Sequence, residues 1–274
     1  MSITEKMNLY LGKIAEFFNN QPHISSIKDG LVTATPLTIL GGIALVIANP
    51  PVPADMDMTS LLGQFLKGWQ ALAAFLSPAT SAVNNLTLGI LSIYIVVAIA
   101  YLLAEKRGIN KLTTSIGALL VFILVAAPVS NFDGTNALPV TYLDAKGMFT
   151  AILVACITVE ITAFMMKRNL KIRLPESVPP MVSAPFEALL PFGVNTILFL
   201  ILNALSQNLF QASIPALIIQ ILSPLVSASD SLWAAILYAF LINGFWFLGL
   251  HGANIVAAIM NPFMLMNLTS PSRR

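Results

Sequence analysis

The sequence is poor in charge. Of its 274 residues only 9% are Asp, Glu, Lys or Arg, against 57% that are apolar. A soluble domain carries about 25% charged residues, and its surface is covered largely by them. The few charges here can cover only the short loops of a membrane bundle, so a water-soluble globule is excluded. Net charge is +2, too small to point to a nucleic-acid partner. Cys156 is the only cysteine and allows neither an intrachain disulfide nor a thiolate metal site. It lies in the apolar run Ala151–Met166 and reads as a small packed hydrophobe. His23 and His251 are the only histidines. No HExxH, no Walker-type glycine loop and no Ser-His-Asp signature is present, so no metal, nucleotide or nucleophile chemistry is expected of this chain. No cofactor is expected either.

What the sequence has is long apolar runs. A helix crosses about 30 Å of hydrocarbon with roughly 20 residues. Leu31–Asn49, Leu86–Ala104, Leu112–Ser130, Met148–Met166 and Phe186–Leu205 meet that length. Ile214–Ser227, Ser231–Leu250 and Gly252–Leu265 follow, the first and third of them short for a full span. Leu61–Val83 carries Gln64, Lys67 and Pro78 and admits three readings: a tilted span, an interfacial helix or a hairpin. The expected fold is all-α and polytopic, with about 6–8 transmembrane helices, an amphipathic N-terminal helix and a broken or re-entrant region near the C-terminus.

Lys and Arg are biased toward the cytoplasmic side of membrane proteins. Lys6, Lys13 and Lys28, then Lys106, Arg107 and Lys111, then Lys167, Arg168, Lys171 and Arg173 fall in alternate loops. The opposite loops hold only Lys67 and Lys146. The N-terminus is therefore expected in the cytoplasm, with the Pro50 and Asp133 loops outside. Met1–Gly30 is mixed in charge, unlike a cleaved signal peptide, so the first span is expected to stay as its own anchor. Within Met1–Gln21, Ile3, Met7, Tyr10, Leu11, Ile14, Phe17 and Phe18 line one face of a helix, suited to the inner leaflet or to capping the bundle.

Polar and helix-breaking residues inside apolar runs mark places where protein or water must satisfy the backbone. Pro36, Gly41 and Gly42 are expected to interrupt the first span, Pro185 and Pro191 to flank the start of the fifth, and Pro215 and Pro224 to interrupt the Ile214–Ser227 run. The region from Asn243 to Asn254, with Trp246, His251 and Gly252, is polar at its centre and apolar on both sides. It fits a broken helix whose tip lies in the bilayer, a common transporter design. A His, an Asn and a nearby Trp supply planar hydrogen-bonding groups and an aromatic face, which suits a sugar; a structural His bonded to a freed carbonyl is the alternative. Glu160 reads as a cavity carboxylate or as the partner of a basic neighbour, and Glu187 as a carboxylate near a helix N-terminus. Asp230 reads as an acid before the next helix, and Asn84, Asn85 and Asn195 as lining a path or bonding between helices.

Pro175-Glu176-Ser177-Val178-Pro179-Pro180-Met181-Val182, Phe186-Glu187-Ala188-Leu189-Leu190-Pro191, the run Phe245–Ile255 containing His251-Gly252-Ala253-Asn254, Met260-Asn261-Pro262 and Ile27-Lys28-Asp29-Gly30-Leu31 together carry a resemblance. They resemble the EIIC permease component of the bacterial phosphotransferase system (PTS), of the cellobiose, lactose and diacetylchitobiose group, from Met1 to about Asn267. The resemblance implies a homodimeric, multi-pass protein of the bacterial cell membrane that binds and moves a disaccharide. It implies that the chain is a transport subunit and not itself an enzyme. A partner EIIB phosphorylates the sugar, fed by EIIA, HPr and enzyme I. It also implies a sugar site at His251, Asn254, Trp246 and Gly252, with Glu160 and Asn261 as candidates to line the cavity, and an EIIB-facing surface near 173–183. Family members continue past the position of Pro262 with further spans and a glutamate in the sugar site. The expected organisation is thus a cytoplasmic segment 1–30, a membrane domain 31–267 lacking the family's last third, and a polar tail 268–274. Other readings kept open are a C-terminally truncated, non-transporting remnant that only dimerises or binds EIIB, and an ion-coupled secondary transporter.

Overall fold

The computed structural model describes residues 21–53, 55–175, 178–247, 256, 260 and 262–267, with the side chains of 180, 181, 246 and 247 left aside. The expected amphipathic helix in 1–21 lies outside them save for its last residue. The regular structure of the described chain is helical apart from one small hairpin.

Helix α1 (Pro22–Thr33) starts on Gln21, whose side-chain oxygen accepts the Ile24 N–H at 2.5 Å, and carries Pro22 in its first turn. Helix α2 (Thr35–Ala48) follows after Ala34. Pro36 has no N–H and its ring excludes the carbonyl four residues back, so the break falls just before it. The structure corrects the sequence expectation here: Pro36 begins α2, and Gly41 and Gly42 sit inside an unbroken helix. Helix α3 (Leu61–Thr87) is capped by Ser60, whose Oγ accepts the Gly63 N–H at 3.0 Å. Its 27 residues run through the whole of Leu61–Val83 with Pro78 inside, which excludes the hairpin reading of that segment. A 3-10 turn at Leu88–Ile90 leads into α4 (Leu91–Arg107), which ends on Gly108. Helix α5 (Lys111–Ala126), capped by Asn110, stops short of the expected Ser130. The chain then makes an antiparallel hairpin, β1 (Ser130–Phe132) with β2 (Thr135–Ala137). Asp133 and Gly134 turn it, both at positive φ, as a two-residue hairpin loop demands.

Helix α6 (Met148–Lys167) follows a 3-10 turn at Ala145–Gly147. Helix α7 (Pro180–Phe210) starts earlier than the expected Phe186 and runs unbroken through Pro185 and Pro191, which were expected to flank its start. Helix α8 (Ile214–Ser229) contains Pro224 without breaking, and α9 (Leu232–Phe247) leaves it at 80°. Ser231 turns the corner, its Oγ accepting the Ala234 N–H at 3.2 Å. The break of this pair thus falls at Asp230–Ser231, while the break expected near His251 lies outside the described residues.

By length and apolarity, four helical stretches among the described residues can cross a membrane, or five with the bent α8–α9 pair counted as one. The difference from the expected 6–8 lies in two places. Leu61–Arg107 counts once although it has 47 residues, about 70 Å of helix and more than twice the hydrocarbon thickness. Helix α5 has only 16 residues.

Helix α4 is the hub. It packs on α1, α5 and α6, and α5 and α6 pack on each other and on α7. Leu91, Ile95, Val96, Ile99 and Leu103 of α4 are buried against Val121, Phe122 and Val125 of α5 and Met148, Ala151, Val154 and Val159 of α6. In lipid the hydrophobic effect does not drive such contacts, so close packing of small residues must; Ala100, Ala104, Ala118, Ala151 and Ala155 supply it at 0% exposure. Helices α2 and α3 pair with each other and leave Ile39, Val46, Phe65 and Phe75 open, the last at 81% exposure, as lipid-facing sides require.

Gly30 is the closest approach of α1 to α4. A Cβ there would lie 2.5 Å from Ile99 Cγ1 and 3.1 Å from its backbone nitrogen. The backbone cannot retreat without opening the α1–α4 contact. Gly30→Leu is expected to lower the thermal midpoint of the detergent-solubilised protein by the equivalent of roughly 1–3 kcal/mol or more. Gly42→Leu, where no atom lies within 4 Å of the added Cβ, is expected to change it little.

Candidate functional site

Among the described residues, three polar regions interrupt the apolar bundle. The first lies at the end where α1 begins and α4 and α6 finish. Arg107 Nε donates to Glu160 Oε1 at 2.6 Å, and His23 Nε2 lies 2.9 Å from the same oxygen. Lys106 bonds Ser25 and lies 3.6 Å from Asp29. Lys111 pairs with Glu105 at 2.5 Å and Lys171 with Glu187 at 2.8 Å. Three loops distant in sequence thereby share one charged end. Glu160 is held by a basic neighbour, with its side chain 40% exposed. Glu187 lies two turns into α7 and is held by Lys171 more directly than by the helix dipole.

The second region is a groove of about 760 Å³ between α2 and α3, lined by Asn49, Ser77, Thr80, Ser81 and Asn84 beside Ala44, Leu45, Val46 and Ala48. Asn49 Nδ2 donates back to the Leu45 carbonyl at 2.8 Å, and Thr80 Oγ1 to Leu76 O at 3.1 Å. Its amides and hydroxyls suit water or a hydroxylated ligand. The third lies between α6 and α7, where buried Asn195 bonds Thr162. Asn195 therefore links helices, Asn84 borders the groove, and Asn85 is exposed.

The residues expected to hold a ligand lie mostly outside the described residues: His251, Gly252, Asn254 and Asn261. Trp246 sits in the last turn of α9. Their flanks are placed. On one side α9 leaves α8 at its sharp corner. On the other, residues 262–267 are helical and return to the bundle. Phe263 stacks on Phe149 at 5.0 Å, and Asn267 Nδ2 donates to Val226 O at 3.1 Å and Ser229 Oγ at 2.9 Å. Met264 and Leu265 border a cavity of about 220 Å³ at the α1–α2 break, with Leu31, Ala34, Thr35, Thr38 and Met148. Among the described residues no group of three or more His, Cys, Asp or Glu is placed to hold a metal ion.

Sequence reasoning missed the polar face of α6. Thr150, Thr158 and Thr162 are each 1% exposed. Their spacing in multiples of four within an apolar run was the signal available. It also missed His23 as a partner of Glu160, since nothing in spacing joins residues so far apart in the chain.

Comparison with known proteins gives these features a context. The sequence model of the family described as "Phosphotransferase system, EIIC" matches residues 28–271. The chain is 31% identical over 263 residues to the PTS system oligo-beta-mannoside-specific EIIC component of Bacillus subtilis (strain 168), covering 94% of this chain and 57% of that protein. It is 29% identical over 265 residues to the PTS system cellobiose-specific EIIC component of Geobacillus stearothermophilus, covering 93% of this chain and 56% of the relative. The crystal structure of the transporter ChbC, the IIC component of an N,N'-diacetylchitobiose-specific phosphotransferase system, superposes with a TM-score of 0.76 at 28% identity, over 94% of this chain and 60% of that one. The chain thus spans little more than half the length of the curated relatives it matches.

The Glu160 ion pair is partly exposed, and such pairs contribute at most about 1 kcal/mol. Glu160→Gln and Arg107→Gln are each expected to lower stability by no more than that. The loss should shrink as salt is raised, which thermal unfolding in detergent at low and high ionic strength would read. A salt-independent loss of several kcal/mol would show the pair to be a buried one.

Proposed function

The chain belongs to the EIIC family of the phosphotransferase system, and we propose that it acts as the membrane permease component for a β-linked disaccharide. The observation that carries this reading is the superposition on a diacetylchitobiose transporter over nearly the whole chain. It is supported by relatives named for oligo-β-mannoside and cellobiose. The chemistry follows from the family: the sugar is bound and moved by this chain, and a separate EIIB, fed by EIIA, HPr and enzyme I, adds the phosphoryl group. The chain itself is a transport subunit and contributes no bond-making residue.

In this reading His251 and Asn254 hydrogen-bond the sugar hydroxyls, Trp246 packs on a sugar face, and Gly252 lets the backbone come close. Asn261 and Glu160 are assigned to the wall of the path. The flanks support this assignment, because α9 and residues 262–267 run from a sharp corner and back to the bundle, as a segment bearing a midplane site would need. The protein is a multi-pass membrane protein. The gathering of Lys106, Arg107, Lys111 and Lys171 at one end supports placing that end, with the N-terminal segment 1–30, in the cytoplasm of a bacterial cell. The loop from Arg173 to Ser183 then faces EIIB. The membrane domain is assigned to 31–267, the tail to 268–274, and the assembly to a homodimer.

The test is equilibrium binding of diacetylchitobiose, cellobiose and lactose to the purified, detergent-solubilised chain. Saturable binding of at least one is expected, weakened tenfold or more by His251→Ala, about the 1.4 kcal/mol that a lost hydrogen bond to a buried polar ligand costs. Binding that is unchanged by His251→Ala and by Asn254→Ala would move the site elsewhere. No binding to any of the three, by folded protein, would contradict sugar recognition by this chain.

A further inference from the structure

The contact between α6 and α7 contains polar groups that the two helices do not satisfy. Asn195 on α7 is 1% exposed. Its Nδ2 donates to the Pro191 carbonyl at 2.9 Å and to Thr162 Oγ1 at 3.3 Å. That fixes the amide, since turning it over would set its oxygen against the Pro191 carbonyl, acceptor to acceptor. Asn195 Oδ1 is therefore left buried with no hydrogen-bond partner among the described residues. On α6, Thr162 Oγ1 donates to the Thr158 carbonyl at 2.8 Å. The Thr158 hydroxyl itself is buried and also lacks a partner among the described residues. Thr158 lies one turn from Thr162 on the same face of α6, and Thr162 touches Asn195. Thr162 thus joins the residue that bears the lone amide oxygen to the residue that bears the lone hydroxyl.

The two lone atoms lie within a turn of the height of partly exposed Glu160, but both are themselves shut off from solvent, and lipid donates no hydrogen bond. An amide oxygen left bare there is costly. We propose that one ordered water molecule is built into this contact, donating to Asn195 Oδ1 and bonded to the Thr158 hydroxyl. A site with an amide oxygen and hydroxyls gives a water the two or more polar partners it needs. A monovalent cation is the other occupant such oxygens could draw, but the chemistry disfavours it. The acid nearest in α6, Glu160, is engaged by Arg107 and His23, leaving only neutral ligands around a buried charge. The water has a mechanical consequence. Pro191 offers no N–H to the carbonyl of Glu187, so α7 is weakened one turn before Asn195. The Asn195 side chain holds the Pro191 carbonyl, and the water ties that turn to α6.

The test uses the full chain in detergent with Thr158→Val, which keeps the shape and removes the hydroxyl, and Thr158→Ser, which keeps the hydroxyl. If the water is there, Thr158→Val lowers the thermal midpoint by roughly 2–4 °C and Thr158→Ser leaves it near the native value. The effects of Thr158→Val and Asn195→Leu are then non-additive, because each removes one end of the same bridge. If the contact is dry, Thr158→Val removes an unsatisfied hydroxyl, so the midpoint stays or rises, and the proposal fails. If the native midpoint falls when sodium and potassium are replaced by choline, and Thr158→Val abolishes that dependence, the occupant is a cation and the water is overturned. Should Thr158→Val not fold, density in a high-resolution structure of the native chain decides. A peak within hydrogen-bond distance of Asn195 Oδ1 supports the water, and its absence overturns it.

Discussion

The hydrocarbon interior offers no hydrogen-bond partner, so polar groups that enter it must be matched by the protein or by water held within it. The rest of this structure depends on that constraint. It explains why the apolar segments are helical, with each helix satisfying its own backbone. It explains why charges that enter the bundle are paired, Arg107 with Glu160, Lys111 with Glu105 and Lys171 with Glu187. It also accounts for the four helix starts that are capped by side chains, at Gln21, Ser60, Asn110 and Ser231, where N–H groups would otherwise be orphaned.

The same constraint limits where the backbone can break. Thr87 Oγ1 reaches back to the Val83 carbonyl at 2.7 Å at the α3–α4 break, and Thr80 does the same beside Pro78. The Asp230 N–H closes on Ser227 O at the α8–α9 corner. Each departure from straight helix is thus covered by a local bond. A transport protein needs such departures, because a sugar can be held in the bilayer only where backbone and polar side chains leave the regular helix. The packed hub of α4, α5 and α6 is the fixed body against which the proline-bearing α7 and the bent α8–α9 pair are set.

Much of this was legible in the sequence. The low charge and the apolar runs identified a multi-pass helical protein. The alternation of Lys and Arg between loops anticipated that 106–111 and 167–173 would meet at one end. Prolines were the weak point. Pro78, Pro191 and Pro224 lie within helices that continue through them, because neighbouring side chains and helices can re-satisfy the freed carbonyls; a sequence does not show those neighbours. The Asp133-Gly134 hairpin carried a turn signal that the span search passed over. The candidate site was legible through its motif, Trp246 with His251-Gly252-Ala253-Asn254, and through resemblance, since no periodicity marks it. The polar contact at Thr158, Thr162 and Asn195 was only half visible: Asn195 was noted, but a threonine in an apolar helix reads as neutral until its neighbours are known.

In the proposed orientation the charged end of the bundle faces the cytoplasm, where a phosphorylating partner can meet the sugar. Sidedness labelling tests it most directly. With Cys156→Ser as background, single cysteines replace Arg173 and Asn136, both exposed positions, and a membrane-impermeant thiol reagent is applied to intact cells and to inverted membrane vesicles. The account predicts that the cysteine at 136 is labelled in intact cells and the one at 173 only in inverted vesicles. The reverse pattern, or labelling of both from one side, would contradict it.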